Sequence, residues 1–182
     1  MNPIIINNFL SIEECESILN YSLCNLELKR GQVKMDDEFK VDLHRESNIA
    51  FDQYLQFPYL MDRIHTLVSD TIKIKGFNMD FDNKKFQFTE YKYGDYYDWH
   101  TDILDDSINR RFYSIVIRLN DNYTGGELEL KDYKSIKSNT GTLYMFPSDM
   151  NHRVTPITSG IRYSLVMWLN LIPIKSYSKS LI

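Results

Sequence analysis

The chain has 182 residues, of which 43% are apolar and 25% charged, a composition typical of a folded globular protein and unlike that of a disordered chain. This length suffices for one well-buried core and is short for two ordinary domains, so we predict a single domain over residues 1–182. The net charge of −4 excludes a protein-wide positive field that would attract polyanions, so we expect no nucleic-acid partner.

The sequence shows neither a signal peptide nor a membrane span. Its first residues, MNPIIINNFLS, lack a basic flank and a long apolar run, and no stretch of about 18 apolar residues follows. We therefore expect a soluble, cytoplasmic protein without membrane contact. Cys15 and Cys24 lie in one predicted helix that rises about 13 Å between them, which predicts that they form no disulfide.

A first helix is predicted near the N-terminus. Ser11 and Glu14 have the spacing of a capping box, and apolar residues follow them at near-helical intervals. These features predict a helix over about 11–24. Residues 29–46 are polar and have little periodicity, which indicates a loop with short strands.

A second helix is predicted over about 58–74. Pro58 suits a first helical turn, and Gly76 is expected to end the helix. The apolar residues between them share one helical face, which is expected to pack against a core: Leu60, Ile64, Leu67, Val68 and Ile72.

From residue 84 onward the chain changes to β-branched and aromatic runs separated by turn residues. About seven runs of this kind follow: KKFQFTEYKY, YYDWHTDI, RFYSIVIRLN, GELELKD, GTLYMFP, HRVTPI and IRYSLVMWL. Helices followed by closely spaced strands predict an α+β fold, in which a helical part over about 1–80 braces a β-sandwich or barrel over about 84–172.

A metal site is predicted from three residues. His100 and Asp102 in YYDWHTDI are two positions apart, so on a strand both side chains leave the same face. His152 in FPSDMNHRVTP opens a predicted strand after a turn and is the best third ligand. Two imidazoles and one carboxylate leave coordination positions open, which is typical of non-haem Fe(II) oxygenases. The pair His100 and Asp102 alone also fits a hydrogen-bonded surface pair.

A carboxylate receptor is predicted on the last strand. Arg162 and Ser164 leave the same face of that strand, and a guanidinium fork with a neighbouring hydroxyl is a strong receptor for a carboxylate. A 2-oxo acid that chelates a metal has a far carboxylate that needs such a partner. The alternative for Arg162 is an ordinary strand arginine that faces water.

Five motifs in this order resemble the prolyl-4-hydroxylase-like branch of the 2-oxoglutarate oxygenases, especially its bacterial and viral PKHD-type members. They are YKYGDYYDWHTD from Tyr91, GGEL from Gly125, GTLYMFPS from Gly141, HRVTP from His152 and GIRYSL from Gly160. The likeness covers about residues 86–170. It implies a double-stranded β-helix fold, the jelly-roll or cupin-like architecture.

The resemblance also implies roles for individual residues. His100, Asp102 and His152 match the family's Fe(II) ligands. Arg162 matches the anchor of the distal carboxylate of 2-oxoglutarate, Tyr91 matches a tyrosine whose hydroxyl helps to hold that co-substrate, and Ser164 is a further contact. The implied reaction consumes O2 and 2-oxoglutarate and hydroxylates an unactivated C–H bond with release of succinate and CO2. Ascorbate is a candidate reductant, so L-ascorbic acid binding is included in the expectation.

The substrate is expected to be a peptide or a small molecule, with peptidyl proline and amino-acid-like compounds as the two candidates. Possible contacts are Tyr93, Tyr97, Asp98 and Arg111. Phe146 and Trp168 are predicted to be core residues instead. The sequence carries no signal for the oligomeric state.

Two other functions remain open from the sequence. A cupin-like metalloenzyme that does not use 2-oxoglutarate fits a similar β-sandwich, but Arg162 and Ser164 argue against it. A catalytically silent peptide-binding module is the second alternative. The complete set of three metal ligands argues against that reading.

Overall fold

The computed structural model describes residues 2–31, 33–35, 38–40, 44–53, 56–72, 77–81, 85–103, 111–133 and 138–173. Within these ranges the chain forms two helices, α1 (Ile12–Asn25) and α2 (Pro58–Thr71). The strands of the N-terminal part are β1 (Ile4–Ile6), β2 (Lys29–Arg30), β3 (Val33–Met35), β4 (Glu38–Lys40), β5 (Arg45–Glu46), β6 (Asn48–Gln53) and β7 (Phe77–Phe81). They are followed by β8 (Lys85–Tyr91), β9 (Tyr96–His100), β10 (Arg111–Arg118), β11 (Tyr123–Gly125), β12 (Leu128–Leu130), β13 (Leu143–Pro147), β14 (His152–Val154), β15 (Ile157–Gly160) and β16 (Arg162–Pro173).

Two antiparallel sheets form the body of the fold. The large sheet has the order β1-β13-β10-β16-β8-β6-β2, and β7 also pairs with β16. The small sheet has the order β12-β14-β9-β5. Leucines of β12 pack against the inner face of the large sheet, so the two sheets face each other. The architecture is an α+β fold with a double-stranded β-helix, as the sequence predicts.

The central strands of the large sheet divide their side chains between two hydrophobic clusters. Ile115 and Leu165 belong to the cluster that contains the buried residues of both helices. Their neighbours Val116 and Val166 belong to the cluster between the sheets. This division follows from the two-residue period of a strand, which sends successive side chains to opposite faces. The helices therefore cover one face of the large sheet and leave the other face for a cavity.

Helix α1 begins where the capping box predicts. The Glu14 amide donates to the Ser11 hydroxyl at 3.2 Å, and the Ser11 amide donates to the Glu14 carboxylate at 2.8 Å. Glu14 also pairs with Arg63 of α2, which joins the two helices at the surface. Cys15 and Ile18 of α1 are fully buried in the sheet-facing cluster.

Helix α2 begins at Pro58, as predicted, and buries Leu60, Ile64 and Val68. It ends at Thr71, earlier than the expected position near 74, and Gly76 lies outside the described residues. The difference arises at Ile72, whose backbone turns to an extended conformation while its amide donates to the Val68 carbonyl at 2.7 Å. This turn buries the Ile72 side chain in the core.

The prediction of a mainly helical segment over 1–80 is wrong in one respect. Strands β1, β6 and β7 of this segment join the large sheet, where they pair with β13, β8 and β16. Each of these partners is a separate strand after residue 84, so no local pattern could reveal the pairing. The short strands expected within 29–46 are present as β2 to β5.

The run HRVTPI forms two strands where the sequence predicts one. Its first half, β14, pairs with β12 and β9, whereas β15 pairs with β11. Pro156 lies between the two strands and has no amide hydrogen to donate to a ladder. The interruption therefore lets the chain leave the small sheet directly after the residues that form the predicted metal site.

In the described part of the chain, neither helix is long and apolar enough to cross a bilayer.

The two cysteines are free, as predicted, and they should differ in reactivity. Cys15 is fully buried, and this burial raises the pKa of its thiol to about 12, whereas Cys24 is exposed. Because the thiolate is the reactive form, a chromogenic disulfide reagent should modify one thiol in the native protein and the second only after unfolding. Cys24→Ser should remove the fast reaction, and equal rates for both thiols would contradict the packing of α1.

Candidate metal centre and its cavity

The structure brings the three predicted ligands together at one end of the two central strands of the small sheet. His100 ends β9 and His152 opens β14, and the two residues are direct partners in the antiparallel pair. The Nε2 atoms of His100 and His152 lie 3.7 and 3.5 Å from the two carboxylate oxygens of Asp102. The three ligand atoms lie within 4.8 Å of one another. This proximity makes the three side chains candidate ligands of a single ion.

Backbone carbonyls orient both imidazole rings. His100 Nδ1 lies 2.7 Å from the Asp98 carbonyl oxygen, and His152 Nδ1 lies 2.9 Å from the Met150 carbonyl oxygen. A carbonyl accepts only, so each Nδ1 must carry the proton that it donates. The lone pair of each Nε2 is therefore directed towards Asp102, in the tautomer that binds a metal.

A pair of serines holds the third ligand. The Ser114 hydroxyl of β10 donates to Asp102 Oδ2 at 2.6 Å, and the Ser148 hydroxyl lies 3.0 Å from that of Ser114. The Asp102 amide donates to the Ser148 carbonyl at 2.8 Å. No sequence pattern assigns this role to either serine. Ser148 stands within one of the motifs, whereas Ser114 is recognisable only from the contact between the two sheets.

The protonation states at neutral pH suit metal binding. Burial and the neighbouring His152 lower the pKa of His100 to about 4, so its ring is neutral. Burial by itself would raise the pKa of Asp102, but the two imidazoles, cationic in acid, and the Ser114 hydroxyl lower it to about 2. The carboxylate is therefore ionised. A neutral imidazole and an ionised carboxylate are the forms that coordinate a metal.

The triad of candidate ligands, His100, Asp102 and His152, lines a cavity of about 790 Å³ between the two sheets. This volume is in the range of about 300–1,000 Å³ that is typical of small-molecule sites. Residues of both sheets line it, among them Tyr91, Tyr97, Arg162, Ser164 and Trp168.

Arg162 is buried in this cavity without an acidic partner. Its residue is 3% exposed, its Nη1 donates to the Ser164 hydroxyl at 3.0 Å, and its Nε has no hydrogen-bond partner. No acid of the described residues forms an ion pair with it. A buried charge in this state is unfavourable unless a counter-ion is supplied, and a carboxylate that enters the cavity fits that requirement.

Tyr91 and Gly126 shape the space around Arg162. Tyr91 is the direct partner of Arg162 in the β8–β16 pair, and its ring centre lies 5.3 Å from the guanidinium carbon. Gly126 has a φ of +64°, and a Cβ there would lie 3.0 Å from the Arg162 side chain. A side chain at this position would therefore displace Arg162, which is a reason for glycine at this turn.

The four proposed substrate contacts do not lie together. Tyr97 and Arg111 line the cavity, and the Tyr97 ring stacks on His100 with 3.4 Å between ring centres. Tyr93 is 79% exposed and does not line the cavity. Asp98 is also outside it, with its carboxylate 3.9 Å from His44.

The two aromatic residues predicted to be core residues have different positions. Phe146 is fully buried and packs edge-on against His152, with 4.8 Å between ring centres. Trp168 is also buried, as predicted, with 7% of its surface exposed, and it lines the cavity as well. The Arg111 guanidinium carbon lies 3.6 Å from the centre of the Trp168 ring. These two residues form one wall beside the metal centre.

Comparison with known proteins gives a consistent picture for the second half of the chain. Residues 86–170 match the family described as the 2OG-Fe(II) oxygenase superfamily. A PKHD-type hydroxylase from Shewanella oneidensis is 38% identical over 91 residues, which cover 45% of this chain and 41% of the relative. A PKHD-type hydroxylase from Synechococcus is 38% identical over 81 residues, which cover 42% of this chain and 36% of the relative. The chain thus spans about two fifths of the length of these curated relatives.

Solved structures with the same fold align over most of the chain. The viral collagen prolyl hydroxylase of Paramecium bursaria Chlorella virus-1 in a 2OG complex has a TM-score of 0.68 at 20% identity, covering 94% of this chain and 97% of its own. A prolyl-4-hydroxylase of Pseudomonas putida has a TM-score of 0.69 at 22% identity, covering 92% and 91%. A Trichoplax adhaerens prolyl hydroxylase in complex with a hypoxia inducible factor peptide fragment has a TM-score of 0.71 at 24% identity, covering 92% and 82%.

The first test of the centre removes a ligand. The protein should bind one Fe(II), and His100→Ala or Asp102→Ala should abolish binding, because each residue supplies one of three protein ligands. Anaerobic metal titration measures this, with His44→Ala as the control, since His44 is exposed and lies outside the triad. Unchanged affinity in both ligand variants would contradict the assignment.

The second test removes the hydroxyl that holds Asp102. Ser114→Ala should leave the fold intact and weaken Fe(II) binding by roughly 10- to 100-fold, the usual effect of losing a partner that orients a ligand. Ser159→Ala is the matched control, because its hydroxyl bonds to Thr124 outside the cavity. The role of Ser114 is wrong if the two variants bind iron equally well.

Proposed function

We propose that this chain, whose residues 86–170 match the 2OG-Fe(II) oxygenase superfamily, is a member of it and an Fe(II)- and 2-oxoglutarate-dependent dioxygenase that hydroxylates an unactivated C–H bond. The observation that carries the proposal is the buried Arg162, which lacks an acidic partner among the described residues and lines the same cavity as the triad. A dicarboxylate held by a metal at one end and by Arg162 at the other satisfies both features.

His100, Asp102 and His152 would hold the iron from one side. All three residues line the cavity, so a metal held by them would be accessible to molecules that enter it. When bound, iron with 2-oxoglutarate and O2 supplies the oxidation that yields succinate, CO2 and the hydroxylated product, with ascorbate as the proposed reductant. The protein supplies ligand geometry through the two carbonyl-bound imidazoles and the serine-bound carboxylate.

Arg162, Ser164 and Tyr91 would bind the distal carboxylate of 2-oxoglutarate. The Ser164 hydroxyl accepts a hydrogen bond from Arg162 Nη1, whereas Arg162 Nε has no partner among the described residues and can donate to the ligand. Tyr91 is 4% exposed and adjoins Arg162 across the strand pair. Burial strengthens the attraction between the guanidinium and a carboxylate, because little water competes for either charge.

The substrate would enter beside Tyr97, Arg111 and Trp168, which line the part of the cavity around the metal centre. A peptidyl proline or an amino-acid-like compound is the proposed substrate class. The names of the solved relatives support the first, since they are a collagen prolyl hydroxylase and a prolyl hydroxylase bound to a peptide fragment. We further propose that residues 1–182 act as one oxygenase domain, because β1, β6 and β7 complete the sheet that carries Arg162.

The function is tested by following succinate. Iron-loaded protein with 2-oxoglutarate and O2 should release succinate slowly alone and faster with a true substrate. Products from peptide and amino-acid libraries should gain the mass of one oxygen atom. A protein that binds iron and ignores 2-oxoglutarate would be a cupin-like metalloenzyme of another kind or a silent peptide-binding module.

Substitution of Arg162 tests the proposed co-substrate site directly. Arg162→Ala should weaken 2-oxoglutarate binding by about 2–5 kcal/mol, as expected for truncation of one partner of a buried charge pair. Arg162→Lys keeps the charge but loses the planar fork, so the loss should be smaller. Calorimetry on the iron-loaded protein measures both, and iron affinity should stay unchanged.

Arg153→Ala is the control for these variants. Arg153 follows His152 and therefore points to the opposite face of β14, where it pairs with Glu129 at 2.7 Å. If Arg162→Ala binds 2-oxoglutarate as tightly as Arg153→Ala does, the co-substrate anchor lies elsewhere.

A further inference from the structure

A second arginine in the cavity, Arg45, is held in a fixed position. It is 7% exposed and its Nε donates to the Ser47 hydroxyl at 2.8 Å. Its guanidinium carbon lies 4.8 Å from the centre of the Tyr97 ring. Gly31 lies directly beside it, so that a Cβ at Gly31 would be 2.8 Å from Arg45 Nε. These contacts fix the side chain before any ligand binds.

Arg45 has no acidic partner within the described ranges, although other cations along the cavity do. Lys29 lies 3.2 Å from Glu27, and Arg30 pairs with Glu46. Arg45 is thus a buried, oriented cation whose terminal nitrogens make no ion pair with the described acids. A buried guanidinium in this state favours an anionic ligand.

The charge of the cavity supports an anionic ligand. The chain has a net charge of −4, but the cavity is lined by five cationic side chains and two acidic ones. The cationic residues are Lys29, Arg30, Arg45, Arg111 and Arg162, and the acidic residues are Glu27 and Asp102. Walls of low polarizability concentrate such a field and attract anions against the sign of the whole protein.

Arg45 is close to the metal centre and lies on the opposite sheet from Arg162. Tyr97 contacts both Arg45 and His100, since its ring stacks on the imidazole with 3.4 Å between centres. Arg45 lies on β5 of the small sheet, whereas Arg162 lies on β16 of the large sheet. The Tyr97 ring would thus lie between an anion bound at Arg45 and the candidate ligand His100.

We propose that Arg45 receives a carboxylate of the primary substrate, so that the substrate is an organic acid oriented with a C–H bond towards the metal centre. This inference rests on the proposed oxygenase function and extends it to the chemical class of the substrate. The guanidinium fork binds a carboxylate through two parallel hydrogen bonds, which fixes both the position and the orientation of the bound molecule. The carboxylate can belong to a free amino acid or to an acidic group of a peptide.

The test compares acids with their amides on protein loaded with Fe(II) and saturated with 2-oxoglutarate, which keeps Arg162 occupied. One arm uses L-amino acids and their primary amides. The other arm uses short proline-containing peptides with Asp or Asn at matched positions and with a free or amidated C-terminus. Anaerobic calorimetry measures binding, and succinate release measures turnover. The two arms distinguish a free acid from a peptide as the source of the carboxylate.

In wild type, at least one acid should bind about tenfold or more tightly than its amide, the scale of a hydrogen bond to a charged group. Arg45→Gln should remove this preference, and Arg45→Lys should retain part of it, which a purely structural role of Arg45 does not predict. Arg153→Gln is the matched control, because Arg153 also stacks on an aromatic ring, that of Trp99 at 4.8 Å, but outside the cavity.

Three results would overturn the proposal. These are a panel in which no acid binds better than its amide, an Arg45→Gln variant that keeps the preference, and an Arg45→Gln variant whose affinity for 2-oxoglutarate falls instead. Thermal unfolding and iron titration of each variant show whether the site is intact. A failure of the proposed oxygenase function can be distinguished from a failure of the Arg45 proposal. In the first case wild type releases no succinate, but calorimetry still measures whether acids bind better than their amides.

Discussion

The antiparallel pairing of β9 with β14 is the constraint on which the rest of the site depends. It sets His152 directly opposite His100 and brings both rings to the carboxylate of Asp102. A slip of one residue would turn His152 to the outer face, where Arg153 now pairs with Glu129. The register of one strand pair therefore decides whether the three ligands converge at all.

The same two-residue period organises the large sheet. Along β16, Arg162 and Ser164 face the cavity, while Leu165 packs towards the helices. The capped helix α1 and the helix α2 fill the outer face, so that the inner face can remain partly open and polar. Packing on one side of this sheet thus makes a cavity possible on the other side, because the helix-facing cluster supplies the apolar burial that the cavity lacks.

The cavity combines a candidate metal centre with two buried arginines. The candidate metal ligands provide a carboxylate and two imidazoles, and backbone carbonyls fix the proton of each imidazole on Nδ1. Around them stand Arg45 and Arg162, both buried and both without an acidic partner among the described residues. Buried charges are unfavourable without counter-ions, so this arrangement anticipates anionic ligands at two separate positions. The acidic balance of the whole chain gives no indication of it.

Local features could be read from the residues alone: the Ser11 cap, the Pro58 start of α2, most strands of the second half, and the candidate site residues His100, Asp102, His152 and Arg162. These follow from periodicity, capping and spacing, which act over a few residues. Which distant segments meet is visible only in the folded chain. Folding adds β1, β6 and β7 to the large sheet, places the Ser114 hydroxyl on Asp102, sets the buried Trp168 at the cavity wall, and puts Arg45 beside Tyr97. The physical reason is that strand pairing and side-chain contact across two sheets depend on residues far apart in the chain, and no local pattern specifies the partner.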